Sequence, residues 1–214
     1  MQESEGVNMA TTEKVDLYKD NKKEYAATPK PALVEIGPAV YLSISGRGAP
    51  GGNAFSEAIG TLYGVAFTVK MTRKFAGKRD YAVCKLEALW RNLNWDDTTP
   101  DREQWVWQLM IRTPKFVTAK DISQAIETLM KRGKGTEVQR VELRALSEGL
   151  CVQALHVGPY EDEGKTMATM RAFTERQELR IAGTHHEIYL SDPRRVAVSK
   201  LKTILRGPVM KAEG

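Results

Sequence analysis

Two rhythms of apolar and polar positions alternate along the chain: apolar residues three and four apart mark helices, and those two apart mark strands. In "TAKDISQAIETLMKRGKG", Ile122, Ala125, Ile126, Leu129 and Met130 form one stripe. Thr118 stands before it as N-cap, Asp121 lies near the positive end of the dipole and Gly133 stops it, which predicts a helix over 118–132. "SDPRRVAVSKLKTILRGP" repeats the logic, with Asp192 as cap, Pro193 at the first helical position and Val196, Leu201, Ile204 and Leu205 as the stripe before Gly207 and Pro208; it predicts a helix over 192–206. "NAFSEAIGTLYGVAF" places Phe55, Ile59, Leu62, Tyr63 and Ala66 at helical spacing after Asn53, and "EGKTMATMRAFTERQ" turns Met167, Met170 and Phe173 inward. Between these lie strand-like runs: "AVYLSIS", "VAFTVKM", "YAVCKLEALW", "QWVWQLMIR", "VQRVELRAL", "GLCVQALHV" and "HHEIYLS". Strands and helices mix without one-to-one alternation, so the predicted class is α+β, with helices on a largely antiparallel sheet.

The pattern repeats within the chain. Displaced by 110, "AVYLSISGRGAP" lies over "GLCVQALHVGPY", a strand and then a glycine turn, with Gly48 on Gly158. Displaced by 100, "YAVCKLEALW" lies over "IAGTHHEIYL", with Glu87 on Glu187. This predicts two repeats, at about 33–112 and 137–192, facing each other across a pseudo-twofold axis with a ligand cleft between them. Together they make one domain over 15–214 behind a flexible tail, 1–14, in which Met9 is a candidate start.

At 214 residues, 42% hydrophobic and 28% charged, the chain has the composition of an ordinary globular protein. No apolar run is long enough to span a membrane, and the polar beginning "MQESEGVNMATTEKVDLYKDNKKEY" is not a secretory leader. A cytoplasmic location is expected. The net charge of +5 invites a nucleic-acid reading, but the basic residues are scattered among acids and not interleaved with aromatics, which argues against direct nucleic-acid binding. Cys84 and Cys151 sit in apolar stretches, as reduced buried thiols would. Nothing in the sequence fixes the oligomeric state.

Glu87 and Glu187 interrupt apolar strands, where an unpaired carboxylate costs several kcal/mol or takes up a proton. Either each pairs locally on a solvated face, Glu87 with Lys85 and Glu187 with His185, or both serve a site; matching positions in a repeat favour the site. Alternation puts His185 and Tyr189 on the face of Glu187. All four tryptophans fall between 90 and 107, as an aromatic wall for a flat ligand or as core. Tyr160, after Gly158 and Pro159, stands where a helix begins. Glu161, Asp162 and Glu163 follow it, as site members or as dipole partners. Adjacent histidines on a strand point to opposite faces and His156 is the only other, so no metal site is expected. No nucleophile-elbow, P-loop or dinucleotide motif occurs, and no cofactor is implied.

The stretches "SGRGAPGGNAFSEAIGTLYGVAFTVKM", "KLEALW", "WVWQLMIRTPKFVT", "EGLCVQALHVGPYEDE" and "GTHHEIYLSDPRRVAVSKLKTILRGPV" together resemble the GyrI-like small-molecule-binding proteins of the stand-alone bacterial type, from about Val15 to Val209. The resemblance implies a duplicated βαββ fold, GyrI-like or SOUL-like, around a central channel lined by aromatic and acidic residues. In regulator members that domain senses cationic drugs, but the beginning of this chain is too short for a helix-turn-helix. Some stand-alone members are cyclopropanoid cyclopropyl hydrolases, which add water to the strained cyclopropane of DNA-alkylating antibiotics of the yatakemycin type. Carried over, this implies Glu87 and Glu187 as metal-independent acid and base, with Trp90, Trp107, Tyr160 and Tyr189 holding a planar aromatic substrate. Arg91 in "LEALWRN" departs from the second aromatic expected there, which changes one wall. Binding or sensing of planar or cationic drugs without turnover is the main alternative, and modulation of a DNA-processing enzyme is another.

Overall fold

The fold was analysed in a computed structural model, which describes residues 14–93, 95 and 101–212. The tail over 1–14, Lys14 excepted, lies outside the described residues. The strands are β1 (Ala32–Ile36), β2 (Ala39–Arg47), β3 (Leu86–Trp90), β4 (Val106–Thr113), β5 (Glu142–Leu146), β6 (Gly149–Val157), β7 (Leu179–Ile181), β8 (His185–Tyr189) and β9 (Lys202–Lys211). The helices are α1 (Leu17–Asp20), α2 (Lys22–Tyr25), α3 (Asn53–Phe75), α4 (Ala119–Lys131) and α5 (Glu163–Glu175). Eight strands form an antiparallel sheet in the order β1-β6-β9-β8-β3-β4-β2-β5, and β7 pairs with β9 beside it. The fold is α+β.

Two short hairpin-like connections tie the halves of the chain together. β1 runs through a two-residue link into β2 yet pairs with β6, while β5 runs into β6 yet pairs with β2. β2 and β6 span nine residues each, and their bounds lie 110 positions apart. Gly48 and Gly158, which end them, hold φ of 123° and 137°, a region where a side chain is strained.

One face of the sheet carries α3 and α5. Leu62, Val65 and Val69 of α3 pack with Leu42, Ile44, Leu109 and Ile111, and Met170 of α5 packs with Val152, Ala154 and Leu205. α4 is fixed at its start by reciprocal bonds: Thr118 accepts from the Asp121 amide, and Asp121 accepts from the Thr118 amide and from Arg73 of α3. α2 lies over the opposite face and sends Tyr25 to Glu87.

Two sequence expectations give way here. "VAFTVKM" is not a strand but the continuation of α3 to Phe75, because Leu62, Val65, Ala66, Val69 and Arg73 form one buried helical face. The helix expected over 192–206 is a short 3-10 turn, Val198–Lys200, followed by β9. β9 lies between β6 and β8 with both faces covered, so Thr203, Ile204, Leu205 and Arg206 are all buried and lose the alternation that marks a half-exposed strand.

Candidate functional site

Register decides which glutamate belongs to which face. Cross-strand partners share a face; Ala88 stands opposite Glu187 and Trp90 opposite His185, whereas Glu87 stands opposite Ile188 and Leu89 opposite His186. The bounds of β3 and β8 lie 99 positions apart, one fewer than the displacement that puts Glu87 on Glu187. A slip of one residue exchanges the faces of a strand. Glu87 and Glu187 therefore point away from each other through the sheet, and the structure does not bring them together as an acid–base pair.

On the helix-bearing face, β8 projects His185, Glu187 and Tyr189, and the first turn of α5 projects Glu163 onto them. His185 Nε2 lies 3.1 Å from Glu187 Oε1. All three of Glu163, His185 and Glu187 are buried, and their donor atoms lie within 4.8 Å of one another, a spacing that suits a shared proton or a small cation. Among the described residues, no lysine or arginine pairs with either carboxylate. Burial, then the charge of Glu187 and a hydrogen bond with it, push the Glu163 carboxyl well above its ordinary range. Burial and the same glutamate raise the hydroxyl of Tyr189 well above its usual value, and they raise that of Tyr160 to about 12. The rings of Tyr160 and Tyr189 meet edge to face at 6.0 Å, and Tyr160 is 37% exposed, which places it at the mouth. Trp95 lies edge-on to His185 at 4.8 Å. Behind Trp95 opens a cleft of about 520 Å³ lined by Leu93, Arg171, Thr174, Arg180 and Gly183.

Three polar atoms here have no hydrogen-bond partner among the described residues, His185 Nδ1, Glu163 Oε1 and Trp95 Nε1. Buried polar groups are normally satisfied, so these atoms are free to bond a ligand or a water.

The opposite face holds a cluster of another kind. Glu87 accepts from the Tyr25 hydroxyl at 2.7 Å and lies 3.0 Å from His186 Nε2, while Nδ1 of the same ring lies 3.0 Å from Glu148. Arg206 donates to Glu148 and Gln153. Burial opposes the charge on His186, yet Glu148 and Glu87 drive its pKa up to about 9; against burial, His186 and Arg206 hold Glu148 down at about 2. Two carboxylates thus meet two cations with every charge answered, the mark of a structural network.

Of the aromatic residues expected at the site, Tyr160 and Tyr189 reach the carboxylate pair. Trp90, opposite His185, and Trp107, opposite Trp90 on β4, are buried against Phe55 at 5.6 and 5.4 Å. Sequence reasoning gave His185 only a shared face and left Glu163 between two readings. The signal was present in "GPYEDEGK": an acid at the first helical position after a glycine turn that ends a strand.

Comparison with known proteins matches residues 29–210 to the GyrI-like small molecule binding domain. An uncharacterized conserved protein from Listeria innocua is 38% identical, covering 92% of this chain and 100% of its own, with a TM-score of 0.85. A hydrolase from Listeria innocua is 37% identical over the same shares, with a TM-score of 0.83. The EcmrR C-terminal domain shares the fold at 13% identity, covering 85% of this chain and 98% of its own, with a TM-score of 0.55. No curated protein matches.

Proposed function

The chain belongs to the GyrI-like small-molecule-binding family, and from that premise we propose that it is a hydrolase that opens the cyclopropane of planar aromatic alkylating compounds by adding water. The observation that carries this reading is the buried Glu163–Glu187 pair, held without a lysine or arginine beside His185, Tyr189 and Tyr160. The likeness to a Listeria hydrolase supports turnover over mere binding.

A cyclopropane fused to a dienone opens when water attacks a ring carbon, the strained C–C bond breaks toward the ring system, and the carbonyl oxygen takes a proton as a phenol forms. One acid and one base are enough. Burial and the neighbouring charge keep a proton on Glu163, which makes it the donor to the carbonyl. Glu187 takes the proton of the attacking water, oriented by His185. The ligand atoms of the two carboxyls lie within 4.8 Å of each other, so transfer of that proton from Glu187 to Glu163 restores both for the next cycle. Tyr160 at the mouth and Tyr189 below it offer ring faces to a flat substrate, and such positioning supplies much of a rate. The two repeats expected from the sequence fit this arrangement, in which the site opens over the middle of the sheet where β3 of one half meets β8 of the other.

Incubation with excess spirocyclopropane alkylator, followed by mass spectrometry, tests the reading. Many equivalents of a product heavier by one water, formed equally in the presence of a chelator, are expected. Saturable binding without that product sinks the hydrolase and leaves a drug-binding protein.

A further inference from the structure

The solvent side of α3 carries a pattern that the site does not use. Phe55, Ala58, Leu62, Val65, Val69 and Arg73 are buried on one side of this 23-residue helix. At the angular step of an α-helix, Gly60, Gly64, Phe67, Met71 and Phe75 share one arc on the opposite side, flanked by Glu57 and Lys74. Phe75 is 80% exposed, Phe67 50% and Met71 36%. Exposed single apolar residues are ordinary, but an aligned stripe is not. The two glycines are equally unexplained within the chain. A Cβ at Gly60 or Gly64 would meet nothing within 4 Å, and a glycine inside a helix costs up to about 1 kcal/mol against alanine.

Large and small residues occupy opposite halves of the stripe with the same four-residue spacing, and the charges at its two ends are opposite in sign. A surface with that order is complementary to itself turned end for end. We propose that this face is a homodimer interface in which α3 of a second copy packs antiparallel across it, seating Phe67 over Gly64 and Met71 over Gly60 and bringing Lys74 to Glu57. Every contact then occurs twice, and the glycines let the helices approach closely enough for the aromatic rings to be covered. Phe75 reaches past Ser56 toward the start of the second helix. The helix is about 34 Å long at 1.5 Å per residue, enough to anchor a standard interface once flanking loops join it.

Sedimentation velocity on the full chain over a wide concentration range tests this, and it is independent of any enzymatic readout. A dimer that dissociates on dilution is expected. Gly64→Leu fills open space and leaves the fold intact, as an unchanged or raised thermal midpoint checks, yet it raises the dissociation constant at least tenfold, about 1.4 kcal/mol. Glu57→Lys weakens the dimer, and adding Lys74→Glu to it restores association. A chain that is monomeric at every concentration overturns the proposal, as does a dimer indifferent to Gly64→Leu or a double variant without rescue.

Discussion

Neighbouring positions on β8 send His185 and Glu187 to one face of the sheet and His186 to the other, so the two buried glutamates of the sequence have different fates under mutation. Glu187→Gln removes the base and is expected to lower turnover by about 10²–10⁴-fold, measured as initial rate of the hydrated product. Glu163→Gln does the same for the acid and stabilises the fold. A carboxyl whose folded pKa is raised destabilises the fold increasingly as pH climbs above its unfolded value of 4.5, so the amide raises the thermal midpoint at pH 8. Equal or lower stability of that variant would show that Glu163 is not held protonated. Glu87→Gln leaves His186 with half its charge partners and is expected to cost about 3–5 kcal/mol in urea unfolding. Activity per folded molecule is retained in that variant.

Close approaches of side chains to backbone decide several elements. Gly46 on β2 admits the ring of Trp107, and an added Cβ would lie 2.2 Å from it. Gly46→Ala is expected to cost about 1–3 kcal/mol by thermal denaturation, with a changed near-ultraviolet circular dichroism as Trp107 moves. A variant as stable as the parent would place Trp107 elsewhere. Gly207 on β9 makes the same allowance for Trp95, which is why a Gly-Pro pair that reads as a helix stop sits inside a strand. Elements with a cap or a clean period, such as α4 behind Thr118, were legible in the sequence. β9, buried on both faces, was not, since burial on both sides erases the period, and the second half of α3 was not, since apolar Phe67, Met71 and Phe75 on its exposed side blur the helical stripe. The candidate site was half legible: Glu187 and the two tyrosines stand out in the sequence, but which acid lies beside Glu187 does not, because Glu87 and Glu163 differ by which face they reach and not by residue type.

At the scale of the molecule, the network of Glu87, His186, Glu148 and Arg206 joins β3, β8, β9, the turn before β6 and, through Tyr25, the N-terminal segment. His186 stands at about 9 against 6.5 unfolded, a raised value, so its contribution is fully present below pH 6.5 and is lost as pH rises through 9. Glu148, at about 2 against 4.5, contributes above pH 4.5 and loses its contribution as pH falls through 2. The network's own contribution is therefore constant between these windows, where Glu163 alone lowers stability, and stability measured by denaturant is expected to fall by a further amount on the order of 3 kcal/mol on the alkaline side. A flat profile from pH 7 to 10 would count against a charged His186. No helix among the described residues is long and apolar enough to cross a membrane. The sequence by itself determined the α+β class, the likeness to a small-molecule-binding family, the capped helix α4, and the acids and tyrosines set in or beside apolar strands, because caps, glycine turns and polar residues in apolar runs are local signals. Only the tertiary structure decided that Glu187 lies beside Glu163 and that Glu87 lies on the other face, among His186, Glu148 and Arg206. That choice rests on one residue of strand register and on the docking of α5, both set by long-range pairing and packing.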